Sequence, residues 1–136
     1  MGLNLEHRIN LLHVEDEPDI KTFVSESIFS YPELKEVLRI TEASDVQEAI
    51  RYLNNGFNFN IALVDFKLPG GDGNDVGIVA KNKGVYRIIG HSAFFDPKYP
   101  EKPFDRNIFH AVFRKQDYKD VRRYLVKVKE DILRIG

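Results

Sequence analysis

The chain has no cysteine, which excludes disulfides, thiolate metal sites and thiol catalysis together and makes a reducing compartment, the cytoplasm, the expected location. It also lacks any apolar run approaching the ~18 residues of a membrane span, and residues 1–8 hold no apolar stretch of signal-peptide length. Neither export nor membrane insertion is expected. A glycine-rich phosphate loop ending in Lys-Ser or Lys-Thr is missing, so a GTPase-like reading fails. No sign of charge dominates: the formal net charge of −1 gives no bulk attraction to nucleic acid. The cations Lys115, Lys119, Arg122, Arg123, Lys127, Lys129 and Arg134 near the end of the chain read instead as the solvated face of a helix. Internal repeats, linkers and low-complexity tracts are missing as well.

What is present is an ordinary globular composition, 43% hydrophobic and 30% charged, over 136 residues. That length suits one domain, 1–136, in which about two thirds of the unfolded chain's surface becomes buried. Short apolar runs at 9–14, 61–64, 85–89 and 111–113 are too brief for helices and suit strands buried on both faces of a parallel sheet. A more mixed run at 37–41 reads as an edge strand. Between the runs lie helical patterns. Pro18 opens the first, with Ile20, Phe23, Val24 and Ile28 at helical spacing and Pro32 as its end. Ser44 and Gln47 read as a capping box ahead of Val46, Ala49, Ile50 and Leu53, with Gly56 as the stop. A weaker pattern spans 75–81 around Gly77, and a clear apolar stripe runs through Val121, Tyr124, Leu125, Val128, Ile132 and Ile135 from Tyr118 onward.

Strand and helix alternate in the manner of a doubly wound α/β domain with a five-stranded parallel sheet. The exception is 94–107, where Pro97, Pro100 and Pro103 predict a loop or single turn, leaving the fourth helix short or missing. Ligands of such sheets bind beyond the carboxyl ends of the strands. There the sequence places Glu15, Asp16 and Glu17, then Asp65, then Ser92, then Lys115. Carboxylates gathered at one edge repel each other unless they hold protons or share a hard cation, for which Mg²⁺ is the natural candidate. A serine hydroxyl and a lysine ammonium supply the donors that a transferring phosphoryl group needs, and Asp65 is the expected nucleophile.

Four stretches carry a family resemblance. They are Leu11-Leu12-His13-Val14-Glu15-Asp16-Glu17-Pro18, the run from Ile61-Ala62-Leu63-Val64-Asp65 through Leu68-Pro69-Gly70 to Asp72-Gly73, Ile88-Ile89-Gly90-His91-Ser92-Ala93, and Lys115. Together they resemble the receiver domain of two-component response regulators. The resemblance implies the flavodoxin-like strand order 2-1-3-4-5 and phosphorylation of Asp65 by a histidine kinase or histidine phosphotransfer protein. It implies Mg²⁺ held by Glu15, Asp16, Asp65 and the backbone carbonyl of Phe66 or Lys67, with Ser92 and Lys115 sensing the phosphoryl group. The protein would be no enzyme in the usual sense, catalysing only its own phosphorylation and dephosphorylation and passing the signal to a protein partner, with neither nucleic acid nor membrane as partner.

Three positions depart from the family pattern. Val112 stands where the switching aromatic is usual, three residues before the lysine; Gln116 replaces the usual proline after it; and the proline-rich segment replaces the fourth helix. Lys67 and Phe94 would flank the phosphoryl group, with Phe94 hindering water and lengthening the life of the phosphorylated form.

Bland readings stand beside these. Asp65 alone reads as a cap or turn former, Glu17 as a first-turn acid outside the site, and His13, His91 and His110 as packing residues. The aromatics of the proline-rich loop read equally as a partner surface or as cover for the sheet. The alternative function is a receiver-like interaction module that signals without phosphorylation. A topoisomerase-primase or haloacid dehalogenase reading fails because no Asp-x-Asp pair is present: Phe66 and Lys67 follow Asp65.

Overall fold

The computed structural model describes residues 9–92 and 104–135. Five strands, β1 (Ile9–Val14), β2 (Leu38–Ala43), β3 (Ile61–Val64), β6 (Arg87–Ser92) and β7 (Ala111–Arg114), form one all-parallel sheet in the order β2-β1-β3-β6-β7. Counting only these strands, the order is 2-1-3-4-5, as expected. A two-residue hairpin, β4 (Lys67–Leu68) with β5 (Gly71–Asp72), follows β3 and turns through Gly70, whose φ of 86° suits glycine best.

Alternation along each strand splits the core in two. Even-numbered Leu12, Val14, Ala62, Val64 and Ile88 pack under α3 (Val46–Asn54) and α4 (Gly73–Asn82). Odd-numbered Ile9, Leu11, Ile61, Leu63 and Ile89 pack under α1 (Pro18–Val24) and α5 (Tyr118–Ile135). In α5 the stripe buries Val121, Leu125 and Val128, each contributing roughly 1.5–3 kcal/mol of apolar transfer. Strand β2 lies at the sheet edge and alternates between buried and exposed positions, matching its mixed sequence. Among the described residues no helix is long and apolar enough to cross a membrane.

Several local expectations need correction. The first helical pattern is not one α-helix to Pro32. It passes at Ser25–Phe29 into a π turn, where Ser30 N donates to Ser25 O, and the hydroxyls of Ser27 and Ser30 bond carbonyls four residues back, a competition that loosens the α ladder. Pro32 does not end a helix but starts the short α2 (Pro32–Lys35), where its missing N–H costs nothing. The cap of α3 is Asp45, not Ser44: Glu48 N donates to Asp45 Oδ1 at 2.7 Å, and Ser44 Oγ accepts from Lys21 Nζ instead. The pattern at 75–81 lies inside a longer helix, α4, opened by a reciprocal Asp72/Asp75 capping box. The run at 85–89 becomes a strand only at Arg87, because Val85 N closes the preceding turn onto Ala80 O.

Most of the proline-rich loop, including Phe94, Phe95, Pro97, Tyr99, Pro100 and Pro103, lies outside the described residues. From Phe104 onward the chain makes a single turn, with Ile108 N and Phe109 N both donating to Asp105 O, and no helix lies between β6 and β7 among the described residues. Phe104, Ile108 and Phe109 are buried in the α3/α4 core, so Phe104 and Phe109, the two loop aromatics among the described residues, cover the sheet.

Candidate functional site

Each principal side chain sits one residue past the end of its strand while its backbone N–H stays in the ladder. Glu15 N donates to Ala43 O, Asp65 N to Val14 O, and Lys115 N to Ser92 O. Glu15, Asp65 and Lys115 therefore continue the odd-numbered face of β1, β3 and β7 above the α1/α5 core, which the alternation of strand residues dictates. Ser92 closes β6 on the same rim, paired in register with Arg114.

The three side chains meet. The Lys115 ammonium lies 2.5 Å from Glu15 Oε1 and 3.2 Å from Asp65 Oδ2. All three are buried, and Asp65 is only 8% exposed. The second carboxylate oxygen of each acid is held by a backbone amide close in sequence: Phe66 N donates to Asp65 Oδ1 at 2.8 Å, and Glu17 N to Glu15 Oε2 at 3.2 Å. One ammonium between two carboxylates leaves the group net negative. Burial and then the Glu15 charge push the Asp65 carboxyl up from 3.8 to about 6, against the opposing pull of Lys115 and of the Phe66 amide.

Asp16 reaches the same place from the solvent side, and one carboxylate oxygen each from Glu15, Asp16 and Asp65 lie within 4.8 Å of one another. This is a donor set of oxygens alone with an excess of negative charge. It fits a hard divalent cation of the Mg²⁺ type and has no nitrogen or sulfur ligand to favour a softer metal. Glu17 is exposed at the N-cap of α1, and it serves the cluster through its backbone N–H, its carboxylate not being among the three that meet. Lys67 is exposed on β4. The turn into α5 carries Gln116 without a proline; it is closed by Asp117 N donating to Arg114 O and by a two-pronged Arg114–Asp117 ion pair. Lys115 is thus positioned by other means. Val112 lies on the opposite face of the sheet, half-buried against the α3/α4 core.

One participant went unassigned in the sequence, and one residue read there as packing adjoins the site. The first is the Phe66 amide as a donor to Asp65, a contact that any residue following the strand-end Asp65 would make. The other is His91, the residue before Ser92, fully buried with neither ring nitrogen bonded among the described residues. Burial first, then the nearby His13 and Lys115, hold it down at about 3, so it is a neutral ring beside the cationic end of Lys115. His13 itself packs edge-on against Phe29 and lies 2.9 Å from Glu42 Oε1. His110 accepts from Ile88 N. His13 and His91 are buried packing residues, whereas His110 is exposed and serves β6 as an acceptor.

No protein-family model matches the chain, and no curated protein matches it. Solved structures do. The response regulator protein TrrA of Thermotoga maritima, solved in complex with Mg²⁺ and BeF, is 23% identical over 88% of this chain and 98% of that one, with a TM-score of 0.70. The receiver domain of a Francisella response regulator is 15% identical over 91% and 98%, also at 0.70. The N-terminal domain of an uncharacterized protein from Wolinella succinogenes is 21% identical over 94% and 99%, at 0.74. In strand order and overall architecture, the chain has the fold of response-regulator receiver domains.

Proposed function

We propose that this protein is a phosphorelay component of the cytoplasm, in which Asp65 accepts a phosphoryl group from a phosphohistidine on a histidine kinase or histidine phosphotransfer protein. One Asp65 carboxylate oxygen attacks phosphorus and the P–N bond breaks. The electron pair returns to the imidazole nitrogen, and Asp65 is left as an acyl phosphate. Glu15, Asp16 and Asp65 would hold Mg²⁺, which when bound supplies charge neutralisation for the phosphoryl oxygens. Of the two carbonyls considered as a further ligand, that of Phe66 already accepts from Gly73 N at 2.8 Å, which favours Lys67.

The remaining steps belong to the chain's own groups. The Lys115 ammonium is a point charge already seated between Glu15 and Asp65, ready to turn to a phosphoryl oxygen once the acids are neutralised. The Ser92 hydroxyl is the second donor at the rim. Burial of Asp65 limits the access of water to the acyl phosphate. The protein acts on no substrate but its own aspartate and signals by altering which protein partner it binds.

The observation that carries this reading is the bridge of Lys115 between Glu15 and Asp65 beside Asp16. Incubation with acetyl phosphate and Mg²⁺, followed by intact mass measurement, should show one added phosphoryl group in the wild type and none in Asp65→Asn. Equal uptake by both, or none by either, would remove the proposal in favour of an interaction module that signals without phosphorylation.

A further inference from the structure

Residues 104–110 are tied down at both ends of the sheet. At the far end, His110 N donates to Ile88 O, Ile88 N donates to His110 Nδ1, and Lys81 Nζ of α4 donates to Asn107 O. At the near end, Asp105 N donates to Asn74 Oδ1 of α4, and Phe104 enters a cradle made by two glycines. A Cβ on Gly90 would stand 2.9 Å from three ring carbons of Phe104, and one on Gly73 would stand 3.0 Å from the same ring. Only glycine leaves room for the ring there. It is 4% exposed and packs edge-on against Phe66, centroid to centroid at 5.5 Å, and against Phe109 at 4.7 Å.

Phe66 is the residue whose amide holds Asp65 Oδ1, and the Cβ that Gly73 lacks would also lie 2.6 Å from the Asp65 carbonyl oxygen. Asp65, Phe66 and the Phe104 ring thus form one run of close contacts around Gly73. A packed contact of this kind passes on a displacement instead of absorbing it.

We infer that Phe104 is a positioning residue that couples residues 104–110 to the state of Asp65, a reading that rests on the proposed phosphorylation. With Asp65 unmodified, the Phe66 amide is committed to its carboxylate, and the Phe104 ring sits locked in the glycine cradle. A phosphoryl group on Asp65 brings new acceptor oxygens, the Phe66 amide turns to one of them, and the Phe66 ring shifts against Phe104. The ring leaves the cradle, the turn held by Asp105 loosens, and the cleft between α4 and β7 opens as the surface that changes on phosphorylation. Val112 has no aromatic ring to offer, and it lies against the same core that this movement would open.

Hydrogen exchange on the wild-type protein with Mg²⁺ and beryllium fluoride tests this, with fluorine NMR reporting fluoride bound at Asp65 and Asp65→Asn as the unbound control. The amides of Ile108, Phe109 and His110 should exchange about tenfold faster once fluoride is bound, the size of an ordinary coupling between sites. Coupling is reciprocal, so Phe104→Leu and Lys81→Met, which loosen the segment from its two ends, should each bind beryllium fluoride more tightly, a gain that mere loss of packing would not produce. Bound fluoride with unchanged exchange at these amides, or unchanged affinity in both variants, would overturn the coupling while leaving the proposed function standing. No bound fluoride in the wild type would remove the proposed function and the coupling with it.

Discussion

Lys115 holds Glu15 at 2.5 Å and Asp65 at 3.2 Å from within a site where all three residues are buried. Deleting one partner of a buried ion cluster leaves uncompensated charge, which typically costs 3–5 kcal/mol. Lys115→Met should therefore lower the stability of the metal-free protein at neutral pH by about 3 kcal/mol in urea denaturation. Mg²⁺ should restore more stability to this variant than it adds to the wild type, because the cation takes over a neutralising role that Lys115 otherwise shares. Wild-type stability in the metal-free variant would contradict the bridge.

The raised Asp65 carboxyl has a definite pH signature. Its pKa is about 6 in the folded protein against 3.8 ordinarily, so the folded state binds the proton more tightly. The associated stability is fully present below pH 3.8 and is lost as pH rises through about 6, a change on the order of 2–3 kcal/mol. Relative to Asp65→Asn, the metal-free wild type should lose stability across that window, and Mg²⁺ should offset the loss. A difference between the two proteins that stays flat from pH 4 to pH 7 would count against the geometry.

His91 works in the opposite direction. Held at about 3 against 6.5, it favours the folded state above pH 6.5 and withdraws that support as pH falls toward 3. Among the described residues its two ring nitrogens have no hydrogen-bond partner. His91→Leu should flatten the acid side of the stability profile and leave neutral stability equal or higher, read from thermal melts at several pH values. A variant as acid-sensitive as the wild type would show that the ring has a partner or is hydrated.

The strand ends were legible because chemistry and periodicity coincide there. Strands of four to six residues end at or one residue before Glu15, Asp65, Ser92 and Lys115, and three of these share the odd parity of the α1/α5 face. The rest turned on interactions that pattern does not carry. Ser44 and Asp45 are both good cap residues one position apart, and the choice between them falls to Asp45 because Lys21, 23 residues earlier, takes the Ser44 hydroxyl. The π turn after α1 depends on serines bonding back to carbonyls. Gly77 reads from sequence as a weak point in a helix, whereas its function is spatial: a Cβ there would stand 2.8 Å from both Ile108 and Phe109.

That last distinction can be tested by sign. Helix propensity alone makes Gly77→Ala stabilising by about 1 kcal/mol, while overpacking a close contact costs typically 1–3 kcal/mol. With two rigid apolar side chains from residues 104–110 in the way, the variant should be less stable than the wild type in chemical denaturation. A gain would show that the segment yields at no cost.

A crystal structure with Mg²⁺ and beryllium fluoride would show whether one rim gathers a divalent cation and a phosphoryl group around Asp65. Beryllium should be bonded to an Asp65 carboxylate oxygen, with the cation on Glu15, Asp16 and Asp65 and Lys115 turned from Glu15 toward fluorine. Fluoride density elsewhere, or an Asp65 still paired with Lys115 and no cation beside it at saturating Mg²⁺, would contradict that arrangement.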